Sequence, residues 1–204
     1  MKKRGWRNEK IRNDDDSDDK LYINKPSFIE SVSNRIYFYS DIDPSSVLQL
    51  NRQLADMQNR LIEEQVCRQS EKPEKIFLNI NSGGGHIMDG FSASDEIRGM
   101  KVPVWSVVDG CCASAATLIS VVCARRLMKK RSFMMIHQLS STFWGTFENF
   151  KDETLGLEKM MAAIQSVYRE HTKIPDDVMG ALLKRDLWLT ADECLSYGLI
   201  DEII

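Results

Sequence analysis

Three side chains have the types and local settings that acyl-transfer chemistry requires. Ser114 lies in Asp-Gly-Cys-Cys-Ala-Ser-Ala-Ala, His137 closes Phe-Met-Met-Ile-His-Gln, and Asp186 sits in Lys-Arg-Asp-Leu-Trp-Leu-Thr. A serine hydroxyl is a weak nucleophile until a base takes its proton. The base needs a third group to fix its tautomer, and the oxyanion that forms needs N–H donors. Upstream, Ile80-Asn81-Ser82-Gly83-Gly84-Gly85 supplies backbone N–H groups without a Cβ in front of them. The set fits hydrolysis through an acyl-enzyme.

Each part has a plainer alternative. Ala-Ser-Ala is common, and a serine there can bond back to its own helix. His137 ends an apolar run and could be a core histidine. His86 follows the glycines with no partner in view, and His171 stands at a helix end, where a cap or cation is usual. Asp186 has many acidic competitors. The glycine cluster lacks the Lys-Ser/Thr ending of a phosphate loop and the spaced glycines of a dinucleotide fold. The chain order serine, histidine, aspartate differs from that of chymotrypsin, subtilisin and the α/β-hydrolases.

The elements that must carry these residues alternate. Residues 35–40 are a β-rich run. Asp43-Pro44 is an N-cap with proline at the first helical position, and Val47, Leu50, Leu54, Met57 and Leu61 follow at helical spacing, with residues 71–75 ending the helix. Residues 76–80 are a strand feeding the glycines, and a helix is expected over 87–98. A strand over 102–108 leads to the serine turn and an apolar helix from about Ala113. Residues 125–131 form a basic turn and 133–136 a strand ending at His137. Residues 139–148 have no helical pattern. Phe150, Thr154, Leu157, Met161, Ile164 and Tyr168 then mark a long helix. Pro175 opens a short one, Thr190 to Glu193 is a capping box and Gly198 a helix stop. The class is α/β, with one domain over 28–204.

Composition narrows the functions. The chain has 204 residues, 43% of them hydrophobic, which suffices for one packed domain. A net charge of −3 argues against nucleic acid as the main partner. No apolar run reaches the length of a membrane span, and the basic start lacks the apolar region of a secretory signal. The five cysteines are odd in number and lack metal-ligand spacing. Reduced thiols in a cytoplasmic compartment are therefore expected. Residues 1–27 are expected to be disordered. Their first twenty residues divide into a basic half and an acidic half with few apolar side chains.

Taken together, these motifs resemble the ClpP family, the proteolytic subunit of the Clp protease, within the crotonase-like superfamily. Asn81 to Gly85 is similar to that family's Asn-Ser-Pro-Gly-Gly, and Gly110 to Ser114 to its Gly-Gln-Ala-Ala-Ser. Met135 to Gln138 matches its Met-Ile-His-Gln, and His171-Thr172 its His-Thr. Arg185-Asp186 with Leu189-Thr190, and Tyr197 to Asp201, resemble two further motifs. The likeness covers about residue 33 to 204.

The resemblance implies an α/β fold with stacked β-sheets, flanking helices and a protruding strand–helix handle over 139–148 and the helix after it. It implies Ser114 as nucleophile, His137 as base and then acid, Asp186 as orienting partner, and the N–H groups of Gly84 and Ala115 as the oxyanion hole. No cofactor is implied. Two stacked heptameric rings enclosing the sites, polypeptide substrates and a Clp-type ATPase partner are implied. The chain departs from the pattern at Gly83 and Leu139, where the family has proline, and at Lys184, where an acidic residue is common. The family's apolar N-terminal segment, which meets the ATPase, has no counterpart in residues 1–27. Rival expectations are a self-sufficient processing peptidase and a non-catalytic ring subunit.

Overall fold

The computed structural model describes residues 28–69 and 74–204. The expected disorder of residues 1–27 lies outside them. Among the described residues β1 (Phe28–Val32) pairs antiparallel with β2 (Arg35–Tyr39). From there β3 (Ile76–Ser82), β4 (Val104–Ala113), β5 (Arg125–Met128) and β7 (Glu202–Ile203) continue in parallel. β6 (Phe133–Met135) also pairs with β4, but only along its end, Cys111 to Ala113. The stacked arrangement is thus one sheet that forks at β4.

The fork has a local cause. Ile80 of β3 faces Val108 of β4, yet Ser82 faces Cys112, so β4 carries extra residues. Gly110 takes φ 102° there, and Asn81 Oδ1 accepts a 3.2 Å bond from the Cys111 N–H. Such a bulge bends and re-aims the strand. Here it turns the end of β4 away from β5 and toward β6.

Strand alternation sorts the residues. Ile36, Phe38, Leu78, Ile80, Val104 and Val108 are buried under the helices. α1 (Pro44–Arg68) presents Val47, Leu50, Leu54, Met57 and Leu61 to that face. Burial of a leucine such as Leu50 or Leu54 stabilises by roughly 1.5–3 kcal/mol. Asp43 caps α1 by accepting a 2.8 Å bond from Ser46 N at its carboxylate, and its own backbone N–H donates to Ser46 Oγ at 3.0 Å. α2 (Ile87–Gly99) lies between α1 and α3 (Ala115–Val121). The opposite face carries Arg35, Phe77, Trp105 and Arg125, stacked as cation–ring contacts.

α4 (Phe147–His171) packs on α3 through its last turns, where Ile164 and Tyr168 are buried. It begins one turn before the expected Phe150, because Thr146 and Asn149 form a capping box. Residues 138–146 carry no regular structure, and Phe147 and Trp144 stand in solvent. α5 (Asp176–Leu183) and α6 (Ala191–Ser196) follow and lead into β7. Two sequence expectations are corrected. Residues 125–128 are a strand, β5, rather than turn, because they continue the sheet beside β4. β4 also extends past residue 108 to Ala113.

Candidate active site

Ser114 follows β4 and precedes α3, with φ 54° and ψ −130°. Holding a non-glycine residue there costs on the order of 1–3 kcal/mol, and the surroundings must enforce it. Ser114 N donates to Met135 O at 2.8 Å, and Ser114 O accepts from Thr117 N at 3.0 Å. Small neighbours make the turn possible. Ala113 and Ala115 are buried, and a Cβ on Gly90 would lie 3.1 Å from that of Ala115.

His137 stands two residues past β6, and its Nε2 is 2.8 Å from Ser114 Oγ. Its Nδ1 is 3.2 Å from Asp186 Oδ1. A carboxylate at Nδ1 holds the proton on that nitrogen and leaves the Nε2 lone pair facing the hydroxyl. The loop bearing Asp186 is tied to β6 by Leu189 N to Met134 O at 2.7 Å and Met134 N to Leu189 O at 3.0 Å. Gln138 N donates to Leu183 O at 2.6 Å. The three expected side chains therefore meet.

The glycine loop closes the other side. Gly84 and Gly85 adopt φ 94° and 149°. Ile42 bonds across them, its N–H to Gly84 O at 2.7 Å and its O from His86 N at 2.9 Å. A Cβ on Gly84 would lie 2.6 Å from Ser114 Cβ and 3.2 Å from Ala115 N, so glycine keeps clear the space before that N–H. The Gly84 N–H itself makes a long 3.2 Å bond to Ser82 Oγ.

A cavity of about 300 Å³ opens beside Ser114 and His137, with Met88, Leu118, Leu139 and Ile164 in its wall. His86 joins it at the rim, 3.3 Å from Asp89 Oδ2. No partner for His86 was evident from the motifs, although the i,i+3 spacing at a helix start points to Asp89. His171 is not at the site. Burial, with Arg98 nearby, holds its pKa below the usual histidine value.

A family model described as Clp protease matches residues 31–204. The chain belongs to the Clp protease family. It is similar to ATP-dependent Clp protease proteolytic subunit 3 of Rhizobium meliloti (strain 1021), 28% identical over 200 residues, covering 95% of this chain and 97% of that protein. Proteolytic subunit 2 of Treponema denticola is 33% identical over 160 residues, covering 74% and 79%. Among solved structures, a mutant of ClpP1 from Listeria monocytogenes aligns with a TM-score of 0.72 and 25% identity, over 84% of this chain and 91% of that one. The fold is the ClpP/crotonase-like α/β fold and the enzyme class is serine-type peptidase. Among the described residues no helix is long and apolar enough to cross a membrane.

Proposed function

We propose that Ser114 is the nucleophile of this Clp-family peptidase, with His137 as its base and Asp186 as the group that orients the imidazole. The observation that carries this is the continuous line of contacts from Ser114 Oγ through His137 to Asp186, at 2.8 and 3.2 Å. Ser114 Oγ attacks the peptide carbonyl and its proton passes to His137 Nε2. The N–H groups of Gly84 and Ala115 receive the oxyanion, with Gly84 exchanging its long bond to Ser82 for the charged oxygen. His137 then protonates the leaving amine, and water drawn through the same nitrogen releases the acyl group.

Residues 28–204 form a single peptidase domain on this reading, and an unfolded polypeptide lies extended between the glycine loop and residues 138–140. The proposed assembly is two stacked heptameric rings joined by α4 and the segment before it. Exposed Phe143, Trp144, Phe147, Phe150 and Leu155 support a buried role for that surface. A Clp-type ATPase would supply unfolded chains, as the ATP-dependent names of the relatives suggest. A cytoplasmic location agrees with five free cysteines.

The test is intact-mass analysis of size-fractionated protein after fluorophosphonate treatment. One adduct per chain, absent from Ser114→Ala and confined to large particles, supports the reading. No adduct in any fraction, or an equal adduct on Ser114→Ala, overturns it.

A further inference from the structure

Beneath the nucleophile two buried hydroxyls form a chain. Thr117 Oγ1 lies 2.6 Å from Ser114 O, and Tyr168 Oη lies 2.6 Å from Thr117 Oγ1. Thr117 is 0% exposed and Tyr168 2%. Each hydroxyl has one proton to give. Ser114 O is an acceptor only, so a 2.6 Å approach requires the threonine proton to lie between them. Tyr168 must then donate to Thr117. The direction is fixed: Tyr168 O–H to Thr117 O–H to the Ser114 carbonyl. Burial raises the pKa of Tyr168 far above the ordinary tyrosine value, so it stays a donor.

The carbonyl of Ser114 and the N–H of Ala115 belong to one planar trans peptide unit and point in opposite directions. Whatever fixes the oxygen fixes the direction of the N–H. Ser114 is held at φ 54° and ψ −130°, where the backbone does not rest unaided. The carbonyl accepts from Thr117 N at 3.0 Å as well as from Thr117 Oγ1, so it is pinned from two directions.

We propose that Tyr168 is a positioning residue for the oxyanion hole, aiming the Ala115 N–H through Thr117 and the Ser114 carbonyl. This rests on the reading of Ala115 as an oxyanion donor and of Ser114 as the nucleophile. The chain begins on α4 and ends at the turn that opens α3. Displacement of α4 relative to α3 therefore breaks it.

The experiment uses the assembled full-length protein and a fluorogenic peptide. Tyr168→Phe keeps the ring and removes only the donor. The expected result is a fall in kcat of about three- to tenfold, the worth of one hydrogen bond of ordinary net strength, with KM within about twofold. Thr117→Val gives at least the same fall, Thr117→Ser restores wild-type kcat, and the two damaging changes together are no worse than Thr117→Val alone. Affinity for a peptide boronate, whose tetrahedral centre presents an oxygen to the hole, falls with kcat, while binding of the cleaved peptide product does not. Unchanged kcat in Tyr168→Phe, a change confined to KM or thermal stability, or additive losses in the double variant would overturn the proposal. Ser114→Ala separates the two levels. If it stays active the nucleophile assignment fails, and if it is inactive while Tyr168→Phe matches wild type only the present inference fails.

Discussion

Asp186 reaches His137 Nδ1 at 3.2 Å with 75% of its side chain still exposed, whereas the histidine side chain is 24% exposed. The acid of the proposed triad therefore sits at the edge of solvent. Water screens a carboxylate in that position, so its hold on the imidazole rests on geometry more than on charge. Asp186→Asn presents an amide to Nδ1 and no longer enforces the productive tautomer. We expect kcat to fall on the order of 10²-fold, less than the ~10⁴-fold recorded for a buried triad aspartate. Steady-state peptide cleavage at fixed ionic strength measures it, and an unchanged kcat would remove Asp186 from the triad.

The three loop glycines should respond differently to alanine. Gly85→Ala places a Cβ 2.1 Å from Ile42 O, and Gly84→Ala places one 2.6 Å from Ser114 Cβ, both on positive-φ backbone. Each should cost on the order of 1–3 kcal/mol and abolish acylation. A Cβ on Gly83 meets only Asp41 Oδ1, at 3.9 Å. Gly83→Ala should leave activity intact and stabilise by roughly 0.4–1 kcal/mol through the unfolded chain. Chemical denaturation and fluorophosphonate labelling of the three variants distinguish these outcomes.

Phe147 and Leu155 of α4 are 72% and 54% exposed and belong to one open apolar surface, with Trp144 at 95% shortly before the helix. A paired change, Phe147→Glu with Leu155→Glu, touches nothing in the core of the single chain. Sedimentation velocity should show the largest particle replaced by smaller ones, with the helical circular dichroism retained. A particle of unaltered size would count against α4 as the proposed contact between rings.

Asp201 accepts bonds from the Arg126 backbone N–H at 2.9 Å and from its Nε at 3.0 Å. Burial alone would raise its pKa, but Arg126 outweighs burial and holds it below 3.8. A depressed carboxyl contributes stability above its unfolded value, and the contribution fades as pH falls through the folded value. The difference in Tm between wild type and Asp201→Asn should hold steady from neutrality down to about pH 5 and close below 3.8. Thermal melts across that range read it directly. A gap that instead opened toward low pH would contradict the sign.

Much of the architecture was legible because local chemistry dictates it. Asp43-Pro44 caps α1, Thr190 caps α6, and Gly198 adopts φ 64° after that helix, as their residue types require. The apolar spacing of α1 picked out its buried face. The proposed triad was legible as three motifs, but no spacing could bring Asp186 to His137. That contact depends on Leu189 pairing with Met134 across the fork. β1 was not foreseen, since Phe28 to Val32 alternates weakly and is a strand only because β2 offers it an edge. The Tyr168–Thr117 pair was equally hidden. Helical periodicity assigned Tyr168 to a buried face, and it cannot say which hydroxyl waits on the neighbouring helix.

Ser114 and His137 lie just beyond the last rung of one ladder, where Ala113 faces Met135 and Ser114 N bonds to Met135 O. Asp186 arrives on a separate loop, held to β6 by the Leu189 bridge and to the segment after His137 by Gln138 N to Leu183 O. The free energy needed to detach that loop is a local one, below the cost of opening the sheet. The proposed nucleophile and base can therefore stay in register while the proposed acid leaves, and return without refolding. A chain so constructed can fall silent while its sheet stays folded, and amide exchange along residues 183–189 would count the openings.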